Sequence, residues 1–323
     1  MSGALFWIVG SGGFLGSHLR RAFCQRFPQV RLWDPTPSRF RWTDSKQLPE
    51  QLTSAVAAFA EAVREHGDSW ALLWCAGTGI VTSSAAELEP ERSAWVQMLR
   101  LLGGHLAGRI PGSIFLASSA GGVYGDSLDE FLTEHTLPHP VSDYGRHKLH
   151  MEEALRNWAA MFQNVPCLIG RISSLYGPGQ NLQKAQGIVS HLSRCLIHRR
   201  SLNVYVPLDT RRDYFFVDDC AQHVAASLMR LTAERPVVLV KIFASEELTS
   251  LARILGLFFR LTKRRPLIVA QQTRFPIQAR SLTLRSNVWR DMKAMRKTDL
   301  AEGIHLVHEH QLDLFRHGLL PPP

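Results

Sequence analysis

The chain has 323 residues, of which 45% are hydrophobic and 20% charged, and it has no apolar run of roughly eighteen residues, so we expect a globular protein without a membrane span. The net charge of +9 comes mostly from arginine in scattered pairs such as Arg20-Arg21, which argues against nucleic acid as a partner. The five cysteines are an odd number without Cys-x-x-Cys spacing, which predicts reduced thiols, no structural metal and a cytoplasmic location.

Short apolar runs alternate with amphipathic stretches along the chain, most clearly in its first half. The alternation predicts strands at 5–9, 30–33, 70–75, 114–117, 166–172 and 237–243, and helices at 14–27, 52–65, 94–106, 144–162 and 250–261. Strands and helices that alternate in this way form a parallel sheet covered by helices on both faces. The predicted fold class is therefore α/β, a doubly wound sheet of the Rossmann type.

The composition changes from about residue 175, where proline, glycine and basic residues become more frequent. We therefore predict a cofactor-binding Rossmann domain over residues 1–175, to which residues 212–243 return. A smaller, partly interleaved C-terminal lobe, formed by residues 176–211 and 244–323, is predicted to bind the substrate.

A glycine-rich turn follows the first predicted strand, which is where a dinucleotide-binding turn belongs. It runs Gly10-Ser11-Gly12-Gly13-Phe14-Leu15-Gly16. Glycine lets the backbone approach a pyrophosphate, and the start of the following helix supplies amide groups and the positive end of its dipole. Such turns also occur for purely geometric reasons, but the position after an N-terminal strand favours a cofactor. All of these residues except Ser11 are predicted to contact it.

The choice between NAD and NADP depends on the residue at the end of the second predicted strand. Asp34 stands there, about twenty residues beyond the turn, where a carboxylate accepts a hydrogen bond from the adenosine ribose and repels a 2′-phosphate. This favours NAD, whereas Arg39 and Arg41 keep NADP as the alternative. Ala76 and Gly77 close the third predicted strand with small residues, as needed where the backbone packs beside a cofactor or simply turns.

The stretch Tyr144-Gly-Arg-His-Lys148 is the most informative in the sequence. Ser142 or Asp143 can cap a helix, which places Tyr144 and Lys148 one turn apart on the same face. An ammonium group beside a phenol favours the phenolate. Tyr144 is therefore a candidate to take a proton from a substrate hydroxyl, or to return one.

A hydroxyl partner for this tyrosine is expected at the end of the preceding strand. The sequence there reads Ser118-Ser119-Ala-Gly-Gly-Val-Tyr-Gly. One of the two serines could hydrogen-bond the reacting oxygen and steady the developing charge. The alternative is a strand-end serine that only bonds the backbone.

The order of these motifs resembles the extended short-chain dehydrogenase/reductases, specifically the NAD-dependent epimerase/dehydratase family, of which UDP-galactose 4-epimerase is typical. Two later stretches are similar to that family as well. Residues 170–180 contain Arg…Tyr-Gly-Pro, and residues 212–219 read Arg-Asp-Tyr-Phe-Phe-Val-Asp-Asp. The resemblance spans roughly residues 4–235.

The resemblance implies roles for particular residues. Tyr144 would be the acid/base, and Lys148 would bind the nicotinamide ribose. Arg212 would meet the diphosphate of a nucleotide sugar, for which a guanidinium is well suited; the alternative is an ion pair with Asp213 or Asp218. Asn181 and Arg285 are weaker candidates for the same pocket.

The sequence departs from the family pattern in two places. The usual catalytic Ser/Thr position holds Ala120, so Ser119, or else Ser118, must substitute; we expect Ser119 to act and Ser118 to contact the cofactor. The helix that contains Glu91-Arg-Ser-Ala-Trp lacks the usual Asn-x-x-Gly-Thr.

The resemblance leaves several functions to weigh. We expect an NAD-dependent epimerase of a nucleotide-activated sugar, working through a 4-keto intermediate. An NAD(P)H-dependent reductase of a 4-keto nucleotide sugar is the alternative, and a non-catalytic cofactor sensor stays open. A 4,6-dehydratase is disfavoured. Such enzymes resemble this chain but carry Asp-Glu after the catalytic Thr, where this chain has Gly121 and Gly122. Relatives commonly pair helices corresponding to 94–106 and 144–162, which implies a homodimer.

Overall fold

The structure is a computed structural model that describes residues 3–36, 40–42, 44–234, 237–271, 281–295 and 297–323. Six parallel strands form its main sheet: β1 (Ala4–Val9), β2 (Arg31–Trp33), β3 (Ser69–Trp74), β4 (Gly112–Ser119), β5 (Cys167–Ile172) and β9 (Val238–Phe243). Their order across the sheet is β2-β1-β3-β4-β5-β9. The chain reverses direction across the sheet between β1 and β3, so the predicted doubly wound Rossmann sheet is confirmed.

Helices cover both faces of this sheet. They are α1 (Phe14–Arg26), α2 (Gln47–His66), α3 (Ala85–His105), α4 (Ala120–Tyr124), α5 (Asp143–Met161) and α7 (Val217–Glu234). The helices α2, α3 and α5 pack on one face, and α1 and α7 pack on the other. Alternate residues of β1 enter the two cores, Trp7 on the first side and Phe6 on the second. All six β1 residues are buried, which explains why the strand reads as a continuous apolar run.

A smaller lobe is built from short strands and three helices. The strands are β6 (Ser174–Tyr176), β7 (Leu202–Val204), β8 (Arg211–Phe216), β10 (Leu248–Ser250) and β11 (Ile268–Ala270), and the helices are α6 (Ile188–His198), α8 (Leu251–Thr262) and α9 (Leu300–Arg316). A 3₁₀ helix covers Arg290–Ala294. The order β10-β8-β6 forms one small sheet, and β11 pairs with β7. The division of the chain into two domains stays a prediction.

The largest differences from the predicted elements are the starts of α2 and α3, which lie five and nine residues earlier than expected at 52 and 94 (52 − 47 and 94 − 85). For α3 the start is fixed by a capping box. The Ser84 side chain accepts a hydrogen bond from the Glu87 amide, and the Glu87 carboxylate accepts one from the Ser84 amide. Such a box satisfies two amides that the helix leaves unpaired. Among the described residues, no helix is both long and apolar enough to cross a membrane.

Candidate active site

The glycine-rich turn is tight at its two ends and open in its middle. Gly10 has φ +90°, and a β-carbon on it would come within 2.7 Å of the Ala76 amide nitrogen. A β-carbon on Gly16 would collide with the Gly10 carbonyl, and the Gly13 amide donates to that same carbonyl at 2.9 Å. A β-carbon on Gly12 would meet nothing within 4 Å. The open side at Gly12 is where a ligand can approach the backbone.

The turn leads directly into α1. Gly13 is the N-cap residue, and within the described part of the chain no side chain caps this helix end. The first amides of the helix, which include those of Phe14 and Leu15, are therefore groups that a phosphate can satisfy.

Asp34 follows β2, and its carboxylate is held by an arginine from α1. Arg20 Nη1 lies 2.7 Å and 2.6 Å from the two carboxylate oxygens. Both side chains are more than a third exposed, so the pair contributes little to stability. Arg41 is exposed, and Arg39 lies outside the described residues.

Two charged side chains, from Glu91 and Lys184, contact Gly77 just beyond β3. A β-carbon on Gly77 would lie 2.8 Å from both carboxylate oxygens of Glu91. Lys184 reaches the same glycine from the small lobe, and its Nζ donates to the Gly77 carbonyl at 3.3 Å. The neighbouring Ala76 is buried against Gly10. These contacts bring the end of β3, the glycine turn and the small lobe together.

Tyr144 lies in the first turn of α5 and packs on glycine. Ser142 caps this helix, since its hydroxyl accepts from the Gly145 amide at 3.1 Å. A β-carbon on Gly122 would come within 3.1 Å of the Tyr144 ring, and one on Gly79 within 3.5 Å. The glycine at position 122 therefore makes room for the ring, which stays partly exposed.

Lys148 lies beside Tyr144, as the helical spacing predicts, with its Nζ 5.7 Å from the centre of the tyrosine ring. Its closest charged partner is Glu91 of α3, whose Oε1 is 2.8 Å from Nζ. His147 Nε2 lies 3.3 Å from the same oxygen. Sequence reasoning noted the stretch around Glu91 only as a departure from the family pattern and missed its contact with Lys148.

The buried pair shifts the pKa of both groups. Burial raises the pKa of Glu91, but the charge and hydrogen bond of Lys148, together with the neighbouring His147, outweigh it and bring the value to about 2. Burial lowers the pKa of Lys148, but the Glu91 carboxylate outweighs this and leaves it above its ordinary value. Both groups are therefore charged at neutral pH.

The two candidate serines have different partners. Ser118 is buried and donates to Glu152 Oε1 at 2.6 Å. Ser119 is half-buried and caps α4 by accepting from the Gly122 amide at 3.2 Å. Because Gly122 packs against the Tyr144 ring, Ser119 lies at the end of β4 near the tyrosine, whereas the Ser118 hydroxyl is committed to the buried Glu152. The catalytic role of Ser119 and the cofactor role of Ser118 stay predictions.

The three residues expected to bind substrate lie in different surroundings. Arg212 is half-buried in β8, its Nη1 donates to the Arg211 carbonyl at 2.8 Å, and burial lowers its pKa. Asn181 lies in an exposed loop, where its Oδ1 accepts from the Gln183 amide. Arg285 is exposed, with its guanidinium 3.5 Å from the centre of the Phe131 ring.

The two aspartates weighed as ion-pair partners of Arg212 have other contacts. Asp213 accepts hydrogen bonds from the amide and hydroxyl of Ser245 at 2.9 Å and 3.0 Å. Asp218 lies 2.5 Å from His18 Nδ1.

The model of the NAD dependent epimerase/dehydratase family matches residues 6–239. The chain belongs to this family. The predicted family is therefore confirmed. The description of this family names NAD, so the predicted cofactor is confirmed as well.

Among curated proteins, the chain is similar to several enzymes named for reactions of nucleotide sugars. It is 36% identical over 98 residues to a dTDP-L-rhamnose 4-epimerase of Burkholderia thailandensis, which is 30% of this chain and 27% of that protein. It is 29% identical over 151 residues to a dTDP-4-dehydro-6-deoxyglucose reductase of Escherichia coli, 47% of this chain and 46% of that protein. The chain thus covers less than half of the length of each of these two relatives.

Solved structures of the same fold match nearly the whole chain. The UDP-glucose 4-epimerase of Thermus thermophilus in complex with NAD has a TM-score of 0.76 at 20% identity, over 95% of this chain and 98% of that one. The UDP-glucuronic acid 4-epimerase of Bacillus cereus, in complex with UDP-glucuronic acid and NAD, also has a TM-score of 0.76, at 18% identity over 96% and 99%. At such identities these matches establish the fold.

Proposed function

We propose that the chain is an NAD-dependent epimerase of a nucleotide-activated sugar that works through a 4-keto intermediate. The observation that carries the proposal is the placement of Tyr144 beside Lys148, with its ring packed on Gly122 of α4, just beyond β4. A phenol and an ammonium arranged in this way form an acid/base pair for a sugar hydroxyl. The chain's family supplies the reaction class.

The residues around the glycine turn fit NAD. The open backbone at Gly12 and the uncapped start of α1 suit the pyrophosphate, and Asp34, which follows β2, would accept a hydrogen bond from the adenosine ribose. Lys148 would hold the nicotinamide ribose. When bound, NAD would accept a hydride from the sugar carbon and give it back.

The chain's own residues would handle the proton and the substrate. Tyr144 would take the proton of the sugar 4-hydroxyl as the carbon is oxidised. It would return the proton after the 4-keto sugar has rotated in the site to present its other face. Ser119 would hydrogen-bond the same oxygen, because Ala120 has no hydroxyl at the position where the family usually has Ser or Thr. Arg212 would bind the diphosphate as a bidentate guanidinium, and Asn181 and Arg285 are further candidates for contacts with the nucleotide sugar.

An NAD(P)H-dependent reductase of a 4-keto nucleotide sugar is the second candidate. It is favoured by the match to the Escherichia coli reductase, and it needs the same tyrosine and lysine for one half of the cycle. Asp34 favours the epimerase because its carboxylate disfavours the phosphate of NADPH. We also propose that the chain forms a homodimer in the cytoplasm and that its small-molecule partner is the nucleotide sugar.

The test is to incubate UDP-, GDP- and dTDP-hexoses with the purified protein, without added cofactor, and to follow the sugars by NMR. The epimerase proposal predicts that one of them forms its 4-epimer and that Tyr144→Phe abolishes the reaction. Tyr205→Phe, at an exposed position of the small lobe, is the control and should retain it. Sugars that stay unchanged, together with oxidation of NADH or NADPH on addition of a 4-keto sugar, would favour the reductase.

A further inference from the structure

Glu91 lies inside the candidate active site although no part of the proposed function uses it. Its side chain is 9% exposed and its Oε1 is 2.8 Å from Lys148 Nζ, which is 8% exposed. The carboxylate also lies against Gly77, where a β-carbon would come within 2.8 Å of either oxygen. A carboxylate that is enclosed by the lysine on one side and by glycine backbone on the other has little freedom to move.

The packing of α3 against α5 fixes the two groups opposite each other. Trp95 lies one turn after Glu91 on α3, and Met151 lies three residues after Lys148 on α5. The Trp95 indole donates to the Met151 carbonyl at 3.0 Å in a buried hydrogen bond. This bond sets the register of the two helices, so the distance between Glu91 and Lys148 is determined by the fold.

Other charged and titratable groups face the pair. His147 Nε2 lies 3.3 Å from Glu91 Oε1, and Lys184 reaches the Gly77 carbonyl beside it. Tyr144 lies under Lys148. Cys75 is also close, but burial raises its pKa to about 12, so its thiol stays neutral. Glu91 is thus the one carboxylate that the described contacts place on Lys148.

We propose that Glu91 is a positioning residue, whose carboxylate fixes the Lys148 ammonium beside Tyr144 and keeps it protonated. A buried ammonium without a counter-ion loses its proton readily, since burial disfavours the charged form. A neutral Lys148 would be a weaker donor to a ribose hydroxyl and would no longer favour the Tyr144 phenolate. The proposal rests on the proposed function only in taking Lys148 as part of the catalytic site.

The test is to observe the Lys148 ammonium directly. The chain has seven lysines, so the side-chain nitrogens can be followed one by one in protein labelled with ¹⁵N-lysine, with Lys148→Arg used to assign the signal. In the wild type, Lys148 is expected to stay protonated from pH 7 to pH 10. In Glu91→Gln, which keeps the shape but removes the charge, the titration midpoint should fall by about 1–3 pH units.

Two further variants separate charge from folding. Glu89→Gln changes an exposed carboxylate of the same helix that pairs with Arg92, and it should leave the Lys148 titration unchanged. Glu91→Asp keeps the charge and should keep Lys148 protonated. If Glu91→Gln does not fold at high pH, Glu91→Asn is titrated in its place. A Lys148 midpoint that is the same in the wild type and in the folded neutral variant would overturn the proposal, whether or not the protein epimerises sugars.

Discussion

Helix α5 carries two buried ion pairs one turn apart, Lys148–Glu91 and Glu152–Arg171. The Glu152–Arg171 pair, called the inner pair, is satisfied within the protein. Arg171 donates to both Glu152 oxygens and to the Tyr124 hydroxyl, and Ser118 donates to Glu152 as well. The Lys148–Glu91 pair, called the outer pair, uses one carboxylate oxygen of Glu91 and lies beside the partly exposed Tyr144. We propose that the same kind of interaction serves two purposes: the inner pair joins β4, β5 and α5, while the outer pair would hold an ammonium for a ligand.

The largest effect should come from the inner pair. Glu152→Ala leaves the buried Arg171 charge uncompensated and should lower the free energy of unfolding by about 3–5 kcal/mol. Urea denaturation measures this. Glu153→Ala, at the exposed neighbouring position, is the control and should have little effect. A loss for Glu152→Ala no greater than that of this control would show that the inner pair is not structural.

Tyr144→Phe should affect the reaction and not the fold. Removal of the phenolic hydroxyl takes away the acid/base group, which should lower the rate of epimerisation at least about a hundredfold. The ring still fills the space over Gly122, so the thermal midpoint should stay that of the wild type. Rates by NMR and midpoints by circular dichroism measure the two effects, and an active Phe variant would remove Tyr144 from the mechanism.

The outer pair should make stability depend on pH in the acid range. The pKa of Glu91 is lowered from 4.5 to about 2, so its stabilisation is present above pH 4.5 and is lost as the pH falls towards 2. Glu91→Gln has no carboxylate at this position and should lose less stability over that interval. Urea denaturation at several pH values from 6 down to 3 measures the difference, and parallel curves for the two proteins would contradict the assignment.

The smallest effect should come from the exposed Arg20–Asp34 pair. Asp34→Ala removes the carboxylate that disfavours a 2′-phosphate, so the preference for NAD over NADP should fall by about tenfold, equivalent to about 1.4 kcal/mol. Because Arg20 and Asp34 are both exposed, the free energy of unfolding should change little. Calorimetric titration with each dinucleotide measures the ratio, and an unchanged ratio would exclude Asp34 as the selecting residue.

The distance along the chain between contacting residues explains which parts of the site the sequence could predict. The glycine turn and the Tyr144–Lys148 pair depend on neighbours along the chain, so local patterns are enough to find them. The contact of Glu91 with Lys148 joins residues 57 positions apart and depends on how α3 packs on α5, which no local pattern encodes. The choice between Ser118 and Ser119 likewise depends on which side of β4 each hydroxyl lies.

The small lobe was harder to predict for a different reason. The strands β6, β7, β10 and β11 have three residues each, which is too short for an alternating pattern to stand out. The helices α6 and α9 were missed as well, although their buried residues meet in one core. The core of this lobe forms only when segments far apart in the chain come together.

The central claim, that the chain oxidises and reduces the same sugar carbon, is tested most directly with a nucleotide hexose that carries deuterium at C4. The substrate is the hexose that reacts in the unlabelled screen, and the product is followed by NMR without added cofactor. Our account predicts a 4-epimer that keeps the deuterium at C4, because the hydride removed is the one that returns. A 4-epimer that has lost the deuterium to solvent would contradict it.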